Sequence, residues 1–335
     1  MKMKQYRKHM PITDIKELPL FPTPYPGECF YSVLCRYHIR SGNATDAFSI
    51  KQLFGYNASL ASTVLSPYHL DAVKYWFPSS VGISAETLLE QHTAFPIYTF
   101  TATSFENERI KNCVFDKESF RTIPTWIQPK LIHPSKHLRV CPECAAAQRR
   151  LYGEEYWQIF PQLEGVEYCP VHKVRIKTSN VSVKDTAHHF FPASEVLQNS
   201  QPLKDSDIPG SQMWEALFSD ERELFIKMSE GMSWLFHNSK QHEDYLCITK
   251  IYHYLLGSPN KTFFWEIKLQ YLRSLLSAYQ QNDLLYRYMT KSKQENSLSN
   301  SFWIYSMPIY VHLILMITLC GSPKAFFDTP VNANI

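Results

Sequence analysis

The sequence predicts a mainly α-helical protein: an N-terminal helical domain with a candidate helix-turn-helix, a central Cys-Cys-Cys-His zinc finger and a C-terminal helical domain. Two observations predict it. Apolar residues recur three and four positions apart along most of the chain, punctuated by glycine and proline. Against that background, Cys141-Pro142-Glu143-Cys144 and Cys169-Pro170-Val171-His172 stand out as two ligand pairs with the same two-residue gap.

The composition sets bounds. A chain of 335 residues, 44% hydrophobic and 14% aromatic, has material for about two to three domains with real cores. The net charge of +3, from 34 basic and 31 acidic residues, is too small to mark a nucleic-acid binder, so any phosphate-binding signal must be local. Residues Met1 to Met10 carry Lys2, Lys4, Arg7 and Lys8 without an acid. No apolar stretch follows, so this reads as a flexible basic arm and not a secretory signal. Of the eight cysteines, Cys29, Cys35, Cys113, Cys247 and Cys320 sit singly in apolar runs, which implies a reducing, cytoplasmic setting with buried thiols. The most apolar run, Ile309 to Leu319, is shorter than the roughly 20 residues a bilayer span needs, so it is expected as a core helix with no membrane partner.

The elements follow in order. Pro22, Pro24 and Pro26 keep the backbone extended up to Gly27, and Cys29, Phe30, Val33, Leu34 and Tyr37 then recur at helical spacing until Ser41-Gly42-Asn43 stops the helix. A second short helix runs from a Thr45 cap through Phe48 and Leu53 to Gly55, with Asp46 near its positive end. Two short helices joined by a tight turn suit a helix-turn-helix, and plain core packing suits the same pattern. From Ser66 to Tyr98, Pro67, Pro78 and Pro96 break the helical pattern into short pieces. The expected domains are residues 1–124, a finger over 125–177, a polar linker with little fixed structure over 178–212, and a helical unit over 213–335. In the last, Trp214 to Phe236, Tyr245 to Leu256, Phe263 to Tyr279 and Pro308 to Leu319 are expected helices, and Lys291 to Asn300 a loop.

Cys141, Cys144, Cys169 and His172 are the candidate metal ligands. Each pair can reach one tetrahedral ion, and the lone histidine favours one Zn²⁺ over iron. Four protein ligands leave no open position for water, so the ion is expected to stabilise the fold and do no chemistry. Between and after the pairs, Arg149, Arg150, Tyr152, Tyr156 and Trp157 are expected on a helix, and Lys173, Arg175 and Lys177 follow the last ligand. Lys130 to Lys177 holds eight basic residues against five acids, and basic side chains interleaved with aromatics suit a phosphate-binding face. Arg149, Arg150, Lys173, Arg175 and Lys177 are therefore the candidate DNA contacts. An ordinary solvated surface explains them nearly as well. Lys261 to Lys293, with six basic residues against two acids, is a further basic stretch.

The motifs resemble those of the TniQ/TnsD target-selection proteins of heteromeric cut-and-paste transposons. The opening Pro24-Tyr25-Pro26-Gly27-Glu28-Cys29-Phe30-Tyr31-Ser32-Val33-Leu34-Cys35-Arg36-Tyr37, closed by Ser41-Gly42-Asn43, looks like the family's N-terminal signature. His92 to Tyr98, Arg139 to Cys144, Tyr152 to Trp157, Gln162 to Val166 and Tyr168 to His172 follow in the family's order. Pro308 to Phe327 is similar, more loosely, to a helical block that TnsD-type members carry after the finger. The resemblance implies that the four metal ligands are the finger's ligands. It also implies a protein without catalytic activity that binds double-stranded DNA at the insertion site and recruits a TnsC-like AAA+ ATPase regulator, which brings the transposase. TniQ-type relatives instead dock on an RNA-guided CRISPR effector complex, whose guide supplies the sequence. The chain reads as a short TniQ-type member or a truncated TnsD, located in the bacterial cytoplasm and associated with the nucleoid during function.

An enzyme is not expected. The sequence has no Gly-rich phosphate loop, no Gly-flanked serine nucleophile and no H-E-x-x-H motif. Asp71, Glu86 and Glu90 read as surface charge and not as a metal-nuclease site.

Overall fold

The computed structural model describes residues 18, 20–67, 69–75, 83–115, 135–199, 204–205, 221–238, 245–256 and 309–330. Helix α1 (Phe30–Ser41) and helix α2 (Asp46–Phe54) fall where the spacing and caps predict them. The Thr45 hydroxyl accepts from the Phe48 amide and so satisfies one open donor of α2. Gly42 and Gly55 close the two helices with φ of 66° and 72°, a left-handed conformation that costs glycine least. Every residue of α1 from Phe30 to Tyr37 is buried, which makes it a central helix and not an amphipathic one. α2 buries Ile50, Leu53 and Phe54 and turns Phe48, Lys51 and Gln52 outward.

Short elements wrap this helix as the prolines require. They are 3₁₀ turns at Ala61–Val64 and Leu70–Tyr75, then α3 (Ala85–His92), α4 (Phe95–Tyr98) and α5 (Ser104–Phe115). Strand β1 (His137–Val140), α6 (Pro142–Tyr152) and α7 (Ile159–Gln162) lead to strand β2 (Lys177–Ser182). β2 pairs antiparallel with β1, Arg139 opposite Thr178 and Val140 opposite Lys177, and on its other edge with β3 (Lys204–Asp205). The segment expected as a linker is thus structured over 178–199, with β2, a 3₁₀ turn at Asp185–Ala187 and α8 (Ala193–Asn199). Backbone pairing on both edges holds a polar strand that side-chain composition alone does not announce. Val181, Val183 and Phe190 anchor the segment in the core.

The C-terminal helices are α9 (Glu221–Asn238), α10 (Tyr245–Leu256), α11 (Ile309–Cys320) and α12 (Pro323–Phe327). α9 buries Phe225, Met228, Ser229, Met232 and Leu235, one helical face, against α11 and α12. Gly231 permits the approach: a Cβ there would lie 2.9 Å from Leu313 Cδ2 and 3.1 Å from Pro323 Cγ. In α11, His312 is fully buried, with Nδ1 3.0 Å from the Tyr252 hydroxyl. No described helix is long and apolar enough to cross a membrane. The Met1 to Met10 arm, the expected helix Phe263 to Tyr279, the loop Lys291 to Asn300 and the basic stretch Lys261 to Lys293 lie outside the described residues.

Candidate metal centre and the basic residues around it

Cys141 directly follows β1 and serves as the N-cap of α6, where its Sγ accepts from the Cys144 amide at 3.4 Å. Pro142 occupies the first helical position, whose amide would have no intrahelical acceptor. One helical turn thereby fixes two thiols. The second pair sits in a tight turn: the Cys169 amide donates to Val174 O at 2.8 Å, the Lys173 amide to Cys169 O at 2.9 Å, and the His172 amide to Cys169 Sγ at 3.4 Å. The turn needs a left-handed residue, and Lys173 supplies it with φ of 57°.

The four ligand atoms lie within 4.8 Å of one another. His172 Nδ1 is 3.7 Å from Cys141 Sγ, 3.3 Å from Cys144 Sγ and 3.6 Å from Cys169 Sγ, and Cys144 Sγ is 3.7 Å from Cys169 Sγ. A tetrahedral ion with bonds of roughly 2.0 to 2.3 Å has ligand–ligand edges of about 3.5 to 3.8 Å, so the donor set fits a single metal ion. The three cysteines are buried on Ile176 and Val174, and His172 is exposed. Hydrogen bonds from Cys141 and Cys144 hold the Cys169 thiol far below its ordinary value, and contacts with Cys141 and Cys169 push Cys144 far above it. Thiols this close gain from a cation, which stabilises them as thiolates. No other group of three or more His, Cys, Asp or Glu among the described residues is arranged to hold a metal.

The finger is bound to α1 through buried polar contacts. Gln148 of α6 accepts the Tyr156 amide at 3.1 Å, the Trp157 amide donates to Ser32 Oγ at 3.0 Å, and the Cys29 amide donates to Trp157 O at 2.9 Å. Glu28, fully buried, accepts from Ser32 at 2.9 Å and from Arg36 Nη1 at 2.8 Å. Arg36 also reaches Glu154 at 2.9 Å, and its guanidinium lies 3.7 Å from the centre of the Tyr25 ring. Burial pushes the Glu28 carboxyl up to about 7 despite Arg36. Burial also raises Glu154, but the Tyr25 hydroxyl, Arg36 and Arg40 outweigh it and hold this carboxyl below its usual value. Tyr156 and Trp157, expected on the finger helix, lie in the connection after it, where Trp157 fills the core and donates its indole N–H to Phe191 O.

Arg139, counted from sequence among the local basic residues, is 6% exposed and clamps the backbone. It donates to the carbonyls of Pro161, Leu163 and Val166 and pairs with Glu167 at 3.0 Å. It has no free face for phosphate. Sequence reading missed this clamp and the Glu28–Arg36–Glu154 network. All four residues fall in motifs that carried the family resemblance, but spacing along the chain pairs none of them. Arg149 and Arg150 lie in the last turn of α6, exposed. Arg149 pairs with the buried Glu155, and Lys173 pairs with Glu230 of α9. Arg175 bridges to Tyr168, and Lys177 begins β2; both are partly buried.

The described residues form a mainly helical structure in which a three-cysteine, one-histidine cluster can hold one metal ion. Residues 19–176 match the family model described as TniQ, a span that takes in α1, α2 and all four ligands. The chain is also similar to the Tn7 transposition protein TnsD of Escherichia coli, 26% identical over 187 residues. That match covers 56% of this chain and 36% of the relative, so the chain spans little more than a third of the curated relative it matches.

Proposed function

We propose that the protein is a non-catalytic target-selection component of a heteromeric cut-and-paste DNA transposon. It binds attachment-site DNA and recruits a TnsC-like AAA+ ATPase regulator, which brings the transposase. The observation that carries this reading is the match of residues 19–176 to TniQ together with the similarity to a transposition protein. The ion is one structural zinc on Cys141, Cys144, Cys169 and His172, a role supported by the closed donor set. The duplex contacts are Arg149, Arg150, Lys173, Arg175 and Lys177 of the finger. The α1–α2 pair acts as a helix-turn-helix, supported by the outward Phe48, Lys51 and Gln52 of α2.

The test is a polarisation titration of the zinc-loaded protein against candidate attachment-site and scrambled duplexes at several salt concentrations, with co-purification of the ATPase regulator. Tighter binding to the attachment site supports direct reading. A second reading, a TniQ-type adaptor docked on an RNA-guided CRISPR effector, draws support from the low net charge and from the acids already paired with Arg149 and Lys173. It expects binding that is salt-sensitive and blind to sequence. Failure to bind either duplex or the regulator would sink both readings.

A further inference from the structure

Lys173 is held from two directions. Its backbone is fixed by the turn that carries Cys169 and His172, and Arg222 of α9 donates through Nη2 to its carbonyl at 3.4 Å. Its ammonium donates to Pro170 O at 2.7 Å and to Glu230 Oε1. Glu230 is equally constrained at its backbone, because its neighbours Ser229 and Gly231 are buried and Gly231 sits against Leu313 and Pro323. Both side chains of the pair stay accessible, Lys173 at 36% and Glu230 at 50%. The contact therefore joins two pre-positioned groups at the surface and costs little ordering entropy to make or to exchange.

We propose that Lys173 and Arg222 form a phosphate-binding subsite shared between the finger and the C-terminal helices, and that Glu230 is its internal competitor. A carboxylate on an ammonium makes the same charge-assisted contact as a phosphate oxygen, neutralises the cation and repels a second anion, so Glu230 opposes phosphate binding at Lys173. Arg222 lies on α9 and not in the finger, and it brings a second cation against the Lys173 turn through its contact with the Lys173 carbonyl. The subsite rests on the reading of the protein as a binder of duplex DNA and adds a regulating contact to it. The expected gain on removing Glu230 is about two- to fivefold, the range an exposed ion pair supplies, and it shrinks as salt rises.

The experiment is a double-mutant cycle on the full, zinc-loaded chain with a fluorescent duplex at low and physiological salt. Glu223→Gln is the control for simple loss of an acid, since Glu223 lies on the same helix and pairs at 2.7 Å with Lys227 instead. Glu230→Gln should tighten binding two- to fivefold, Glu223→Gln should leave it within the error, and Arg222→Ala and Lys173→Ala should weaken it. In Lys173→Ala the added Glu230→Gln should bring no gain. Equal gains from Glu230→Gln and Glu223→Gln, or a gain that survives Lys173→Ala, would overturn the competitor while the DNA reading stands. Absence of duplex binding by every variant and by the unaltered protein at low salt would overturn both. Zinc content and melting temperature, unchanged across the set, exclude misfolding as the cause.

Discussion

Arg36 of α1 donates through Nε to Glu154 Oε1 at 2.9 Å, and this contact fastens the central helix to the turn that follows the finger helix. The same guanidinium satisfies Glu28, so a single side chain holds one fully buried acid and one partly exposed acid from opposite sides.

Removing Arg36 should be costly for that reason. Arg36→Ala leaves Glu28 buried with no cation, and breaking a buried pair from one side costs about 3 to 5 kcal/mol. Glu154→Gln should cost much less, because Glu154 is 27% exposed and water replaces part of its contact. Urea unfolding of both variants, with the slope checked for a two-state transition, reads the difference. Equal, small losses would mean that the network is solvated and does not hold the two halves together.

The raised Glu28 carboxyl makes a signed prediction about pH. In the folded protein it holds its proton up to about 7, against 4.5 for the ordinary value, so between these pH values the folded state binds the extra proton. Stability from this group is fully present below about 4.5 and is lost as pH rises to about 7. Glu28→Gln keeps one acceptor oxygen, for Arg36 and Tyr25 or for Ser32 but not for both sets, and does not titrate. Whatever that fixed loss costs, its stability relative to the unaltered protein should improve from pH 5 to pH 8. The metal ligands are common to both proteins and cancel in that difference. A difference that does not change with pH would place the Glu28 carboxyl at its ordinary value.

How much of this was legible follows from the kind of signal each feature leaves. α1 and α2 were readable to within a residue or two because Thr45, Gly42 and Gly55 are local signals whose effect does not depend on the rest of the fold. The cluster of Cys141, Cys144, Cys169 and His172 was readable as a group because its two short spacings meet the reach of one ion, and the structure brings the four side chains together. β2 was not, since the sequence Lys-Thr-Ser-Asn-Val-Ser has no apolar alternation and its order comes from β1 and β3 on either side. Arg139 and Arg36 were readable only as charge. Whether an arginine faces solvent or caps buried carbonyls depends on partners more than twenty residues away, such as Pro161 for Arg139 and Glu154 for Arg36.

The metal site predicts one equivalent of zinc per chain by elemental analysis. Cys141→Ser removes a thiolate ligand but leaves a hydroxyl that can still cap α6, and Cys169→Ser removes a ligand from the turn that Lys173 closes. Either change should release the ion and unfold at least the finger, because the free energy of metal binding is folding free energy here. Since Gln148 and Trp157 connect α6 to Ser32 and Cys29 of α1, the loss should also be felt at the buried Trp157. Its fluorescence should shift to the red when a chelator strips the metal. A chelated protein with unchanged tryptophan emission and unchanged melting would rule out a structural role for the ion.

Arg149 and Arg150 share the last turn of α6 but make different tests of DNA contact. Arg149 pairs with Glu155, a side chain only 4% exposed whose Oε2 has no hydrogen-bond partner among the described residues. Arg149→Ala would strand that carboxylate, so any loss of DNA binding would be mixed with a loss of stability. Arg150 is exposed and makes no hydrogen bond or ion pair with a described residue, so Arg150→Ala should leave zinc content and melting unchanged. If Arg150 meets a phosphate, its loss should weaken binding to attachment-site and scrambled duplexes alike and make the salt dependence shallower by about one unit. If it reads a guanine edge, the loss should fall on the attachment site alone, at about 1 to 3 kcal/mol. Binding that survives alanine at Arg149, Arg150, Lys173, Arg175 and Lys177 together, with zinc in place, would take the duplex off the finger, and Lys51→Ala on the outward face of α2 becomes the next measurement.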